Sequence, residues 1–188
     1  MMLLASREKE FICRKCGYVI SIRHKAGLFC PKCGTILREK PKEKYWLFQF
    51  NPKIYRWHER IKETHSPERW LVSRYWKKIS KGDAVILWSS GLEAGVCAFG
   101  KVITDPEIVE LSVDEIKFWI DKSIIDKFKQ KKSVLVEYLK VLDKPLSEEQ
   151  CHSDPELCGL GVFLNPQGTN FRLKPVEWDR IVDLTCNL

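Results

Sequence analysis

Apolar positions recur along this chain with two different periods, and the switches between them predict its elements. In Tyr45–Phe50 they alternate, so Trp46, Phe48 and Phe50 share one face of a strand and belong to a core. Ala84–Ser89 is nearly continuously apolar, as in a strand buried on both faces, and the turn at Lys81, Gly82 and Asp83 feeds it. Ala94–Thr104 follows after Ser90–Glu93, which predicts an antiparallel hairpin. Val134–Leu142 alternates enough to leave one face wet. Helical spacing appears after Ser112, where the stretch SVDE is a capping box. The apolar stripe there runs through Ile116, Ile120, Ile124 and Phe128. Ser66 and Pro67, followed by Glu68, supply an N-cap and a proline at the first helical position, predicting a short helix that starts there. A last helix starts at Pro175 and buries Trp178, Ile181 and Val182. Strands scattered among helices, without βαβ alternation, predict an α+β fold: a small curled sheet or open barrel with helices around it.

The first forty residues follow a different logic. Cys13 and Cys16, then Cys30 and Cys33, form two Cys-x-x-Cys pairs, each followed by glycine. Two residues between thiolates let one turn aim both sulfurs at a single ion, and the glycine accepts the positive φ of that turn. Two such turns predict a tetrahedral site for one structural Zn²⁺. A hairpin of Tyr18–Ile22 with Gly27–Phe29 around it would complete a zinc ribbon. A disulfide framework needs an oxidising compartment, and a redox Cys-x-x-Cys explains one pair but not two. The charged stretch Arg38–Lys44, broken by Pro41, reads as the connection. The expected organisation is a ribbon over residues 1–40, a linker over 41–44 and a second module over 45–188. Cys97 and Cys186 read as structural. The group Cys151, His152 and Cys158 matches no metal spacing.

Composition narrows the classes. With 188 residues, 44% hydrophobic content and seven tryptophans, the chain can bury a real core. It has no run of 18 apolar residues, and its start is charged too early for a signal peptide, so a soluble, cytoplasmic protein is expected. The net charge of +7 is concentrated early: residues 1–44 carry 11 Lys/Arg against 4 Asp/Glu, and residues 45–105 carry 10 against 6. A polyanion is the favoured partner, with a merely solvated lysine-rich surface as the alternative. Four thiolates around Zn²⁺ lower the ribbon's charge, yet Arg14, Lys15, Arg23, Lys25, Lys32 and Arg38 keep it basic. No nucleophile elbow, P-loop, dinucleotide fingerprint or deaminase signature is present. A zinc site of four cysteines has no open position for water. Binding, not catalysis, is the expectation.

In the second module YWLFQFNP, ERWLVSRYW, ISKGDAVILWSSG, AGVCAFGKVITDP and GTNFRLKPVEWDRI follow one another in an order that resembles the EVE domain. That family belongs to the PUA-like superfamily, with ASCH and YTH domains as relatives. The resemblance covers about 140 residues, the whole chain after the linker. It implies a five- or six-stranded PUA-like open β-barrel with surrounding helices and one pocket at its mouth. It also implies a reader of modified nucleobases that holds a base turned out of its strand.

By that likeness the pocket draws on Asn51, Trp70, Trp88, Ser89, Asn170 and Phe171. Tyr75 and Trp76 compete with Trp70 for its place. Aromatic walls suit the two π faces of a base, and an asparagine amide can read its edge. Arg56, Arg74, Lys77, Lys78 and Arg172 are the expected phosphate contacts, with Arg60, Lys62 and Arg69 also near in sequence. Plainer readings stand beside these. Asn51 caps the turn at Pro52, Trp88 fills a buried strand, and Trp119 and Trp178 lie on apolar helical stripes as core. Tyr55 and Trp57 are placed on the pocket rim. The expected partner is DNA or RNA carrying a modified base, with a protein partner possible through the ribbon. The competing function is a protein-interaction or targeting subunit of a defence, restriction or RNA-processing assembly.

Overall fold

The computed structural model describes residues 9–12, 16–22, 32, 44–64, 67–72 and 74–186. The chain divides into two units, Met1–Lys42 and Glu43–Leu188. In the first, β1 (Lys9–Ile12) pairs antiparallel with β2 (Val19–Ile22). Ile12 opposes Val19, and Cys16 falls within the connection between these strands. Gly17, next to Cys16, has φ +70°, the left-handed conformation that the turn requires of it. Cys13, Cys30, Cys33 and the expected strand at 27–29 lie outside the described residues.

The second unit is built on one six-stranded mixed sheet. Its strands are β3 (Tyr45–Phe50), β4 (Glu68–Leu71), β5 (Ala84–Ser89), β6 (Gly95–Val102), β7 (Ser133–Ser147) and β8 (Asn170–Leu173). Their order across the sheet is β4-β7-β6-β5-β3-β8, and only β3 and β5 run parallel. Register shifts at Leu87/Trp88, Val96/Ala98 and Phe99/Gly100 curl the sheet into an α+β half-barrel with β4 and β8 as its edges. Helices α1 (Trp57–Glu63), α2 (Val113–Ile116), α3 (Ser123–Gln130), α4 (Glu148–Ser153), α5 (Gly161–Leu164) and α6 (Pro175–Cys186) complete the unit. No helix among the described residues is long and apolar enough to cross a membrane.

Alternation along the central strands fills two cores. Trp46, Phe48 and Phe50 of β3 join Val85 and Leu87 of β5 on one face. Leu47 joins Ile86 and Trp88 on the other, against Leu157, Leu160, Phe171 and Ile181. The Trp46 indole donates to Asp83 Oδ2 at 2.8 Å, which fixes the turn before β5 to the first face. Lys44, expected in the linker, belongs to this unit: its carbonyl accepts from Ala84 N and its Nζ donates to the Lys78 carbonyl at 2.6 Å.

Two expected helices take other forms. Glu68–Leu71 is a strand, because its alternation buries Glu68 and Trp70 and its backbone pairs with β7. The stripe after Ser112 is broken in two. The capping box is present, but the chain leaves the helix after Ile116 so that Trp119 can bridge antiparallel to Tyr55. Asp121 then accepts from Ser123 N and the helix resumes.

Candidate functional site

Where β3 ends, the chain turns sharply. Asn51 Oδ1 accepts from Lys53 N at 2.9 Å and its carbonyl accepts from Ile54 and Tyr55 N–H, so this side chain does cap the Pro52 turn. The turn delivers Tyr55 beneath β4 and opens a cavity of about 250 Å³ along that strand. Phe50, Tyr55, Trp70 and Trp119 give it aromatic walls, and Ile54, Leu71 and Ile124 add apolar ones. Asn51, Arg69 and Ser90 border it from separate elements, and residues 166–169 close the far side. Tyr55 and Trp119 lie with ring centroids 4.3 Å apart, tilted by 33°.

The walls are held from behind by a buried polar cluster. Trp57 Nε1 and Trp70 Nε1 each donate to the Tyr138 hydroxyl oxygen at 3.0 Å. Tyr138 has then used both acceptor positions, and it donates to Glu68 Oε2. Tyr55 hydrogen-bonds to Glu68 Oε1, and Arg60 Nε lies 3.4 Å from the same oxygen. Burial pushes the Glu68 carboxyl up to about 8, and burial together with Glu68 holds Tyr138 well above the usual phenol range. Tyr138 therefore stays protonated and keeps its bond to Glu68. Two aromatic walls, Tyr55 and Trp70, are thus fixed by one carboxyl group and one phenol.

The loop at 166–169 is fixed differently. Gln49 N donates to the Thr169 carbonyl and Gln49 Nε2 to the Pro166 carbonyl, at 2.9 and 2.8 Å. A Cβ on Gly168 would lie 2.5 Å from Phe171 Cζ, so the loop lies directly on that ring and any side chain there would force the loop or the ring to move.

Of the six expected pocket residues, the structure brings Asn51 and Trp70 to this cavity. Trp88 is 1% exposed on the opposite face of the sheet, with Phe163 edge-on at 5.6 Å. Its neighbour Ser89 is buried, and the next residue, Ser90, is the one that borders the cavity. Asn170 is buried in β8, where Oδ1 accepts from the Thr169 hydroxyl and Nδ2 has no partner. Phe171 packs in the second core beneath the 166–169 loop. Trp57, expected on the rim, is 1% exposed in the first core, whereas Trp119, expected as core, is half-buried and lines the cavity. Trp178 is half-buried and stacks on Tyr45 at 4.7 Å.

The expected phosphate contacts are all exposed. Arg56 donates to the Lys117 carbonyl and pairs with Glu59. Lys77 and Lys132 place their ammonium groups 5.3 and 4.6 Å from the ring centroid of exposed Trp76, and Lys78 lies 5.9 Å from that of Tyr75. Arg74, Lys77 and Lys78 thus follow directly on the strand that borders the cavity. Arg172 lies on β8, opposite Trp46 in register.

No curated protein matches the chain in sequence. Solved structures do match its fold. A hypothetical protein from Leishmania major is 19% identical with a TM-score of 0.59, over 78% of this chain and 96% of that one. A protein from Rhodopseudomonas palustris is 14% identical with a TM-score of 0.58, over 77% and 94%. Human THYN1, solved in complex with DNA containing 5-methylcytosine, is 13% identical with a TM-score of 0.57, over 76% and 98%. At these identities they share the architecture and nothing finer. Residues 44–184 match the EVE domain, and the chain belongs to that family.

Proposed function

We propose that this protein binds nucleic acid and holds one base, extruded from its strand, in the cavity along β4. The observation that carries this reading is the lining: Phe50, Tyr55, Trp70 and Trp119 around about 250 Å³, ample room for one flat base. Stacking on such walls contributes about 1–3 kcal/mol per base, enough to offset extrusion costing a few kcal/mol. The human relative of the same fold was solved with methylated DNA, which supports a modified base as the ligand. Lys77, Lys78 and Lys132, clustered around Trp76 and Tyr75, together with Arg74 beside them in sequence, would hold the flanking phosphates and make binding salt-dependent. The activity is recognition and not turnover.

The first unit, on this reading, carries one structural Zn²⁺ on Cys13, Cys16, Cys30 and Cys33. Gly17 at φ +70° has the backbone such a cysteine turn needs. The metal would supply the fold that so short a basic segment cannot build, and the ribbon would add a nucleic-acid or protein contact.

The test is a binding screen with short labelled DNA and RNA oligonucleotides, plain or carrying one methylated or hydroxymethylated base. The parent is expected to prefer one modified probe, and Trp119→Ala to remove that preference while the protein stays folded. Equal affinity for every probe, in parent and variant alike, would sink the assignment.

A further inference from the structure

Strand β4 is an edge, and the direction of its free backbone groups follows from its neighbour. Leu135 N donates to Thr104 Oγ1 and the Leu135 carbonyl accepts from Ile103 N, both away from β4. Ser133 likewise exchanges both of its backbone bonds with Glu107. In an antiparallel pair, a residue facing such a position turns its own N–H and C=O outward. Arg69 faces Leu135 and Leu71 faces Ser133. Their main-chain N–H and C=O groups therefore leave the free edge of the sheet, and both residues border the aromatic cavity.

We infer that the main-chain edge of β4 at Arg69 and Leu71 reads the hydrogen-bonding edge of the base held in the cavity. This rests on the base-binding reading above and adds which atoms discriminate. A base carries a donor beside an acceptor on its Watson–Crick edge, and one extended residue presents an acceptor beside a donor. The two match as neighbouring strands do. The side chains first expected for edge reading are placed otherwise, since Asn51 Oδ1 is engaged in its turn and Asn170 is buried and does not line the cavity. Arg69 acts through its backbone because its guanidinium is engaged with Glu107, Ser133 and Glu115. An extended peptide could also add to an edge strand. The short, aromatic-walled cavity between Trp119 and residues 166–169 favours a single flat group instead.

The consequence is a class of ligand: modifications that leave the ring nitrogen of the Watson–Crick edge and one exocyclic N–H free are admitted, and alkylation of that edge nitrogen is excluded. The decisive variant is Leu71→Pro. Proline removes the outward N–H and no ladder bond, which an edge strand tolerates. Probes are short oligonucleotides carrying 5-methylcytosine or 3-methylcytosine, and N6-methyladenine or 1-methyladenine. The parent is expected to reject the edge-alkylated member of each pair by about tenfold or more, and Leu71→Pro to lower affinity for the preferred probe by about tenfold. Amide exchange read by NMR should show the Arg69 and Leu71 N–H groups protected on binding that probe. If Trp119→Ala weakens binding but those amides stay unprotected and edge-alkylated probes bind equally, the backbone assignment is overturned while the cavity stands. If Trp119→Ala changes nothing, both fall. Protection of the same amides by an extended peptide and by none of the oligonucleotides would replace the base with a strand partner and overturn the inference.

Discussion

The two faces of the sheet are filled from the same strands and differ in kind. Toward α4, α5 and α6 the buried filling is largely aliphatic, with Leu47, Ile86, Leu146, Leu157, Leu160 and Ile181 fully buried, and its two buried aromatics, Trp88 and Phe171, are closed over. Toward α1 and the Tyr55–Trp119 bridge it is aromatic, contains the Glu68–Tyr138 pair, and ends in a cavity. A packed aliphatic face contributes stability through area removed from water and leaves nothing for a ligand to gain. An aromatic face anchored by hydrogen bonds can keep its walls apart, because collapse would break bonds already made in a buried setting. The side of the sheet on which a tryptophan falls therefore decides whether it stabilises or recognises.

Substitutions on either face can break that contrast. The largest effect is expected from Trp88→Ala, which should cost about 3–5 kcal/mol of stability while the folded fraction binds as the parent does. Urea unfolding monitored beside oligonucleotide titration separates the two, and lost affinity at full folding would return Trp88 to the pocket. Tyr138→Phe should cost about 1–3 kcal/mol, since two indole N–H groups lose their acceptor, and should weaken binding through the loosened Trp70 wall. Rescue of stability by Trp57→Phe in the same chain, without rescue of binding, would separate these roles. Trp119→Ala is expected to change stability by about 1 kcal/mol and affinity by about tenfold, the reverse of Trp88→Ala.

A further effect concerns protonation. Burial raises the Glu68 carboxyl from 4.5 to about 8, so the folded state holds the proton more tightly than the unfolded chain does. Its stabilisation is complete below about 4.5 and fades as pH rises through about 8. Glu68→Gln should be nearly neutral at the acid end of that window and should flatten the pH dependence of the melting temperature across it. An unchanged slope would place the dependence on another group.

Much of the sheet was legible in the chain because its signals are local. Alternation gave the two faces of β3, the apolar run gave β5, and the capping box at Ser112 formed as read. What escaped depends on partners far away in sequence. Glu68 looks like a helix-start acid beside Pro67, but its burial is set by Tyr55, Arg60 and Tyr138. Trp119 keeps helical spacing with its neighbours, yet the chain unwinds there to meet Tyr55. Trp88 and Ser89 carry the pattern of a strand end, and parity alone does not say which face holds the cavity. Ser90, one residue on, reaches it because its N–H and hydroxyl both bond the Phe50 carbonyl. The Cys-x-x-Cys pairs were legible by spacing, and three of those four cysteines lie outside the described residues.

Gly168 and Phe171 carry a consequence for how such a site can change. Phe171 belongs to the aliphatic face, yet its ring is the floor on which the 166–169 wall rests. The width of the ligand chamber is thus set by a residue that no ligand touches. Trimming that floor would let the wall settle outward and admit a bulkier base, and adding a methyl at Gly168 would push it inward. Recognition could then be retuned from the far side of the sheet, with every contacting side chain left in place.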